Sequence, residues 1–229
     1  SQLTAVRSRI LDELGELTSE GKRVVVVIAT DGLPSDSTGK TNASTKRQFR
    51  DTLRSLHGLP IWVVVRLCTD DAAVVEYWND IDSEIEVPLE VLDDWLGEAV
   101  EIFIHNPWLN YPQIMHCVRE MGFSNPVFDY IDERPLEVSE MLTMLQLLFG
   151  DACREIPDPR VDYKAFEAML TEILSQAGDV LSVDSKILAA TADGKLKDSQ
   201  KISCALQPWI NLKQLKRTYG GGSSTCVIS

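Results

Sequence analysis

A carboxylate that could bind a cation or a partner follows the most apolar stretch of the chain. Asp31 comes directly after Thr30 and the unbroken run Val24–Ala29. Ligands of open parallel sheets bind outside the carboxyl ends of the strands, so Asp31 is expected in a binding loop. Its carboxylate could hold Mg²⁺ or another divalent cation, directly or through water. The alternative is a plain turn residue, because Asp-Gly is a common turn signal.

A second candidate site is the segment Gly39-Lys40-Thr41, which resembles the end of a phosphate-binding loop. Such a loop needs a further glycine five residues before Gly39, so that backbone N–H groups can surround a phosphate. That position holds Pro34, which has no N–H, and Gly32 lies two residues too early. A nucleotide-binding switch that uses Lys40 and Thr41 is therefore the second hypothesis, and an ordinary polar loop is its alternative.

The third candidate is the carboxyl terminus, Cys226-Val227-Ile228-Ser229. This pattern fits a prenylation signal, and a terminal serine favours a farnesyl group on Cys226. A flexible Gly/Ser segment precedes it, and a basic stretch with Lys213, Lys216 and Arg217 lies nearby. A basic signal of this kind would supplement the weak anchoring of one prenyl chain. The apolar residues of the same stretch predict a short interfacial helix (Trp209, Leu212, Leu215, Tyr219). The alternative is a disordered tail with a stray cysteine.

Three acidic residues further along the chain recur at the spacing that places side chains on one face of a helix. Asp94, Glu98 and Glu101 recur at intervals of four and three residues, which places them on one side of a helix. They could bind a cation or a basic partner. A solvated helix face is the usual role of such a run, and it is the prediction here.

These residues must be positioned by a βαβ unit. Val24–Ala29 and Ile61–Leu67 both read as strands buried on two faces, because they are apolar without alternation. A helix from Ser44 to about His57 connects them, so the two strands should be parallel. A third short strand is predicted at 86–89. Helices are predicted at about 91–105, 111–121, 136–150 and 162–176, and the chain from about 180 is predicted to be less regular.

The segment VVVVIATDGLPSD (24–36) resembles the fourth-strand region of von Willebrand factor A-type domains. The Thr-Asp-Gly step after the apolar strand carries the resemblance, which extends over about residues 1–100. Members of this family are doubly wound sheets that commonly bind proteins through a metal-ion-dependent adhesion site. The resemblance implies that Asp31 is one ligand of such a site.

The chain departs from the family pattern in one important respect. It contains no DxSxS motif, which supplies the main metal ligands in that family. It would also lack the first three strands, so that Val24–Ala29 would form an uncovered edge although its pattern demands two neighbours. We expect either that the chain is the carboxyl-terminal part of a longer protein, the favoured interpretation, or that another chain completes the sheet.

Composition limits the classes of partner. The 229 residues carry a formal net charge of −13, which disfavours nucleic acid as a partner of the body of the protein. Five widely spaced cysteines fit a reducing compartment, so a cytoplasmic location is expected. No stretch is long and apolar enough to cross a bilayer.

The sequence thus predicts an α/β protein: a partial doubly wound parallel sheet followed by a mainly helical extension. Three segments are expected, namely a von Willebrand A-like part (1–104), a helical extension (105–180) and a basic tail (181–229). The leading hypothesis is a non-enzymatic protein-interaction module that binds a partner through the Asp31 loop. A divalent metal would assist this binding, and a prenyl group would tether the module to the cytoplasmic face of a membrane. A metal-independent structural scaffold is a further alternative.

Overall fold

The computed structural model describes residues 2–69, 71–92, 94–123, 125–194 and 203–220. The fold is mixed α/β, with a three-stranded parallel sheet and a two-stranded antiparallel sheet. The chain forms two compact units: unit 1 is residues 1–94 with 117–123, and unit 2 is residues 95–116 with 124–229. These units differ from the three segments expected from the sequence. Among the described residues, no helix is both long enough and apolar enough to cross a membrane.

Unit 1 alternates helices with parallel strands. In chain order its elements are α1 (Gln2–Asp12), α2 (Leu14–Ser19), β1 (Val24–Thr30), α3 (Ala43–Arg54), β2 (Ile61–Leu67), α4 (Ala72–Glu84) and β3 (Leu89–Leu92).

Unit 2 is mainly helical. Its elements are α5 (Trp95–His105), α6 (Gln113–Glu120, whose last residues belong to unit 1), α7 (Pro126–Tyr130), α8 (Val138–Phe149), a 3-10 turn (Gly150–Cys153), α9 (Tyr163–Ala177), β4 (Asp179–Val183), α10 (Ser185–Ala192), β5 (Cys204–Pro208) and α11 (Leu212–Tyr219).

The predicted βαβ unit is confirmed. β1 and β2 are parallel over their whole length, from the pair Val24 and Ile61 to the pair Thr30 and Leu67. Valine and isoleucine dominate both strands, because β-branched side chains pack well on a pleated surface. β3 pairs with β2 in the same direction and begins at Leu89, three residues later than predicted.

The two long strands differ in burial. β2 is central in the order β1-β2-β3, and Val63, Val64 and Val65 are fully buried. β1 lies at the edge, and its residues alternate between half-buried and exposed. The prediction that β1 is buried on both faces is therefore wrong. Its apolar run resembles that of a central strand, but among the described strands only β2 pairs with it.

A buried ion pair joins β3 to the end of α6 within unit 1. The Nε of Arg119 donates to a carboxylate oxygen of Glu90 at 2.9 Å, and both side chains are nearly or fully buried. Two residues beyond the end of α6, Gly122 approaches β1 so closely that a Cβ there would lie 2.6 Å from a methyl group of Val25. Charge pairing and a close glycine contact therefore hold 117–123 against the sheet.

Unit 2 is organised around a buried amide. The side chain of Asn106 donates to the carbonyls of Ile131 and Arg134 at 2.8 Å each. Its oxygen accepts from the Leu136 backbone N–H at 3.0 Å and from the Trp108 indole at 3.3 Å. The amide thus satisfies several buried polar groups at once, as a stable core requires.

The part of unit 2 beyond residue 180 is more regular than expected. β4 and β5 pair antiparallel, from Asp179 with Pro208 to Val183 with Cys204. α11 follows, and its apolar side does not face outward: Leu215 is fully buried, and Trp209, Leu212 and Tyr219 pack against the same core. The Tyr219 hydroxyl donates to the Leu136 carbonyl at 2.8 Å. The predicted interfacial helix is therefore wrong, because the protein core already occupies its apolar face.

The buried ion pair gives a stability prediction. We expect Glu90→Leu to destabilise unit 1 by about 3 kcal/mol, because it leaves the Arg119 charge buried without this partner. The double variant Glu90→Leu/Arg119→Met should recover most of that loss. Urea unfolding of each variant would measure both effects, and a single variant as stable as the parent would contradict this account of the pair.

Candidate functional site

Among the described strands, only β2 pairs with β1, so the other edge of β1 has no strand beside it in this part of the chain. The Val24 N–H donates to the Pro60 carbonyl at 2.8 Å, and the Thr30 carbonyl accepts from the Cys68 N–H at 2.8 Å. Backbone groups alternate in direction along a strand, so the even-numbered residues of β1 bond to β2. The N–H and C=O groups of Val25, Val27 and Ala29 consequently point away from the sheet.

The side chains at this edge are apolar and accessible. Val25 is 41% exposed and Val27 is 50% exposed. A groove of roughly 550 Å³ runs beside β1, and apolar residues of α1, β1 and α3 line it (Leu3, Val6, Val26, Ile28, Phe49). A second cavity of roughly 330 Å³ lies at the start of the strand (Val6, Ile10, Val24). Exposed apolar surface beside unpaired backbone groups is typical of a protein contact site.

Asp31 lies at the carboxyl end of β1, as predicted, on a turn that is held in place. The Thr30 hydroxyl donates to the Gly32 carbonyl at 3.1 Å and accepts from the Gly32 N–H at 3.3 Å. The indole of Trp78 donates to the same carbonyl at 3.1 Å. Trp78 is itself buried and makes an edge-to-face contact with Phe49 at 5.3 Å between ring centroids. The hydrogen bonds of Thr30 and Trp78 to Gly32 therefore hold the turn in place, while the Asp31 side chain remains exposed.

The surroundings of Asp31 do not fit a complete divalent-cation site. Among the described residues, Asp31 belongs to no group of three acidic, histidine or cysteine side chains whose ligand atoms converge. Hard cations require several oxygen ligands. Asp31 by itself would supply only one of the oxygen ligands that Mg²⁺ or another divalent cation needs.

The side chains that do converge lie elsewhere, within unit 2. Ligand atoms of Glu98, Glu101 and Asp132 lie within 4.8 Å of one another. Glu98 is buried, so the predicted solvated face of α5 is wrong at this residue. Each of the three residues takes part in at least one further interaction.

The segment Gly39-Lys40-Thr41 forms a loop that binds its own carboxylate. One oxygen of Asp36 accepts from the Thr38 N–H at 2.8 Å, the Thr38 hydroxyl at 2.6 Å and the Lys40 N–H at 3.1 Å. These hydrogen bonds, led by that of the Thr38 hydroxyl, hold the pKa of Asp36 below its ordinary value. The Asp36 carboxylate thus already accepts hydrogen bonds from backbone N–H groups that a phosphate would need as donors.

The helix that follows this loop is also capped internally. The Asn42 side chain accepts from the Ser44 and Thr45 N–H groups at 2.8 and 3.0 Å. The Thr45 hydroxyl accepts from the Asn42 N–H in return, which completes a capping box. The geometry therefore disfavours nucleotide binding by Lys40 and Thr41.

The basic residues predicted near the tail lie on α11, and all three are exposed. Lys216 bonds to Glu167 at 3.1 Å, with its ammonium 5.5 Å from the centre of the Tyr163 ring. Arg217 donates to Gln214 within the helix at 3.2 Å, and Lys213 is the third. Cys226 lies outside the described residues.

Compared with models of known protein families, with curated proteins and with solved structures, the chain matches none of them. The interpretation of the site therefore depends on its own geometry.

The strongest features of this surface were only partly visible in the sequence. The exposure of Val25 and Val27 could not be predicted from a run that is apolar at every position. The support that Trp78 gives to the Asp31 turn comes from a residue 46 positions away from Gly32. Of these features, only the position of Asp31 at the end of a strand was indicated by the neighbouring sequence.

The Trp78 hydrogen bond can be tested separately from its packing. Trp78→Phe keeps an aromatic ring in the core but removes the donor to Gly32. We expect a loss of about 1 kcal/mol of stability and faster amide exchange at Asp31 and Gly32. The matched control is Trp95→Phe in unit 2, whose indole donates to Tyr111 at 3.4 Å. Equal exchange in the parent and in Trp78→Phe would show that the bond does not hold the turn.

Proposed function

We propose that this chain is a protein-interaction module of the von Willebrand A type that binds a polypeptide along β1 and the adjacent Asp31 turn. The observation that carries the proposal is the exposed apolar edge of β1, where Val25 and Val27 are accessible beside backbone groups that pair with no described strand. The parallel order β1-β2-β3 with helical crossovers is consistent with the doubly wound architecture of that family.

In this proposal the partner contributes an extended segment. A strand edge with outward N–H and C=O groups is recognised by another extended backbone, while side-chain pockets supply specificity. The apolar groove between α1 and α3 is the pocket on one face. The fixed turn at Asp31 presents a negative charge at one end of the edge, which favours a basic residue of the partner there.

Binding along this surface does not require a metal ion. Among the described residues Asp31 belongs to no group of three converging ligand side chains, and the hydrogen bonds that β1 would offer a partner come from its backbone. A chelator is therefore expected to leave partner binding unchanged. The protein remains a non-enzymatic module in this proposal.

The carboxyl terminus provides the proposed membrane tether. A farnesyl group on Cys226 would insert into the cytoplasmic face of a membrane, and the exposed cations of α11 would face anionic lipid. Because the apolar side of α11 packs in the protein core, the lipid chain must supply the apolar contact. One prenyl chain with a basic patch is sufficient for reversible attachment.

The contact surface can be tested by photo-crosslinking of the full chain in cells. A photo-reactive residue at Val27 should give a discrete adduct upon irradiation, because Val27 lies at the centre of the proposed surface. The same residue at Val161, which is 86% exposed in unit 2, serves as the control. Equal labelling at the two positions, or no adduct at Val27, would refute the contact surface. Adding a chelator should not reduce the adduct.

The tether is tested with purified farnesyltransferase and vesicles. We expect the full chain to accept a farnesyl group and Cys226→Ser to accept none. Partitioning onto phosphatidylserine vesicles should weaken at least about 30-fold in the modified variant Lys213→Glu/Arg217→Glu, since each lost basic residue contributes about 1 kcal/mol and each added carboxylate is repelled by the anionic lipid. The variant Lys164→Glu/Lys186→Glu makes the same change of charge elsewhere on unit 2. Equal losses in both variants would contradict a specific role of α11.

A further inference from the structure

We infer that β1 pairs antiparallel with β1 of a second copy of this chain, about a two-fold axis at Val27. This inference names the partner of the surface described above, and so it depends on the proposed function. The pairing would join the two three-stranded sheets into one continuous sheet of six strands.

Backbone geometry fits this pairing. β1 is seven residues long, and Val27 is its middle residue. When two copies run antiparallel with complete overlap, Val27 faces Val27, and Val25 faces Ala29 of the other copy. These are the residues whose N–H and C=O groups point outward, so each facing pair exchanges two hydrogen bonds, about six in total. In a register shifted by one residue, these groups would instead lie opposite N–H and C=O groups that already bond to β2.

Charges at the two ends of the strand are complementary in the same register. Arg23 precedes the strand and Asp31 follows it, and both side chains are exposed. With Val27 on the axis, Arg23 of each copy lies opposite Asp31 of the other. Two ion pairs therefore result from one symmetric arrangement. Opposite charges on facing positions stabilise an antiparallel pair.

Apolar side chains provide the remaining contact. On the exposed face, Val27 of one copy lies beside Val27 of the other, and Val25 lies beside Ala29. On the helical face, Val26 and Ile28 of the second copy would extend the apolar lining of the groove. β1 would then have a neighbour on both sides, as strands that are apolar at every position usually do.

A second copy fits this edge better than an unrelated strand does. The edge is self-complementary: its donors and acceptors, its two apolar faces and its end charges all match under one two-fold operation. Isologous contacts of this kind use the same surface twice and close after two subunits. The assembly is therefore a dimer rather than an open chain.

Sedimentation equilibrium of the full chain tests the inference. We expect a concentration-dependent equilibrium between one and two chains. Val27→Lys places two ammonium groups together at the axis and should give a monomer at every concentration. The matched control Val161→Lys adds the same charge at an exposed valine of unit 2 and should leave the dimer unchanged. Circular dichroism of both variants would verify that they are folded.

A charge exchange supplies a test that does not depend on Val27. Arg23→Asp alone and Asp31→Arg alone should each weaken the dimer about tenfold or more, since like charges then face each other twice. The double variant Arg23→Asp/Asp31→Arg should restore the affinity of the parent, because the opposite charges face each other again.

The outcomes separate this inference from the proposed function. A parent chain that is monomeric at every concentration overturns the inference, as does a dimer that none of these variants weakens. If the chain is monomeric but its Val27 adduct contains a different protein, the interaction module stands and the second copy is rejected. If no adduct forms either, both are rejected.

Discussion

A strand offers hydrogen-bonding groups on both of its sides, and β1 uses only one of them within the described sheet. This constraint explains the other features of unit 1. Val25 and Val27 are exposed at the edge that no described strand covers, and apolar grooves lined by α1 and α3 lie beside them. Solvent satisfies the backbone groups, but it leaves the apolar side chains uncovered. A second strand would satisfy both, so a contact at this edge is the simplest way to complete the structure.

Contacts within unit 1 hold the elements at both ends of this edge in place. The end of α6 is fixed to β3 by the buried pair of Arg119 and Glu90, and Gly122 permits a close approach to Val25. At the other end of β1, Trp78 and Thr30 hold the Asp31 turn. A preordered surface loses less entropy on binding than a mobile one does. These contacts thus hold the structure at both ends of the edge in place.

Local sequence signals predicted the parts of the fold that depend on local spacing. The apolar runs and the helix between them were enough to predict the parallel pairing of β1 with β2, because a crossover of this length permits no other simple arrangement. The edge position of β1 was implied only by the family resemblance, since an apolar run by itself does not show how many neighbours a strand has. β4 and β5 were missed because short strands about 20 residues apart in sequence give a weak signal. Helical spacing placed Glu98 and Glu101 on one face of α5, but spacing alone does not tell which part of that face is buried.

Residue-resolved amide hydrogen exchange along β1 tests the central claim most directly. The account predicts that the N–H groups of Val25, Val27 and Ala29 become protected as the full chain is concentrated, and lose that protection on dilution. Val26 and Ile28, whose N–H groups point to β2, should remain protected throughout. Fast exchange of Val27 at every concentration would contradict the account, because its N–H would then have no partner strand.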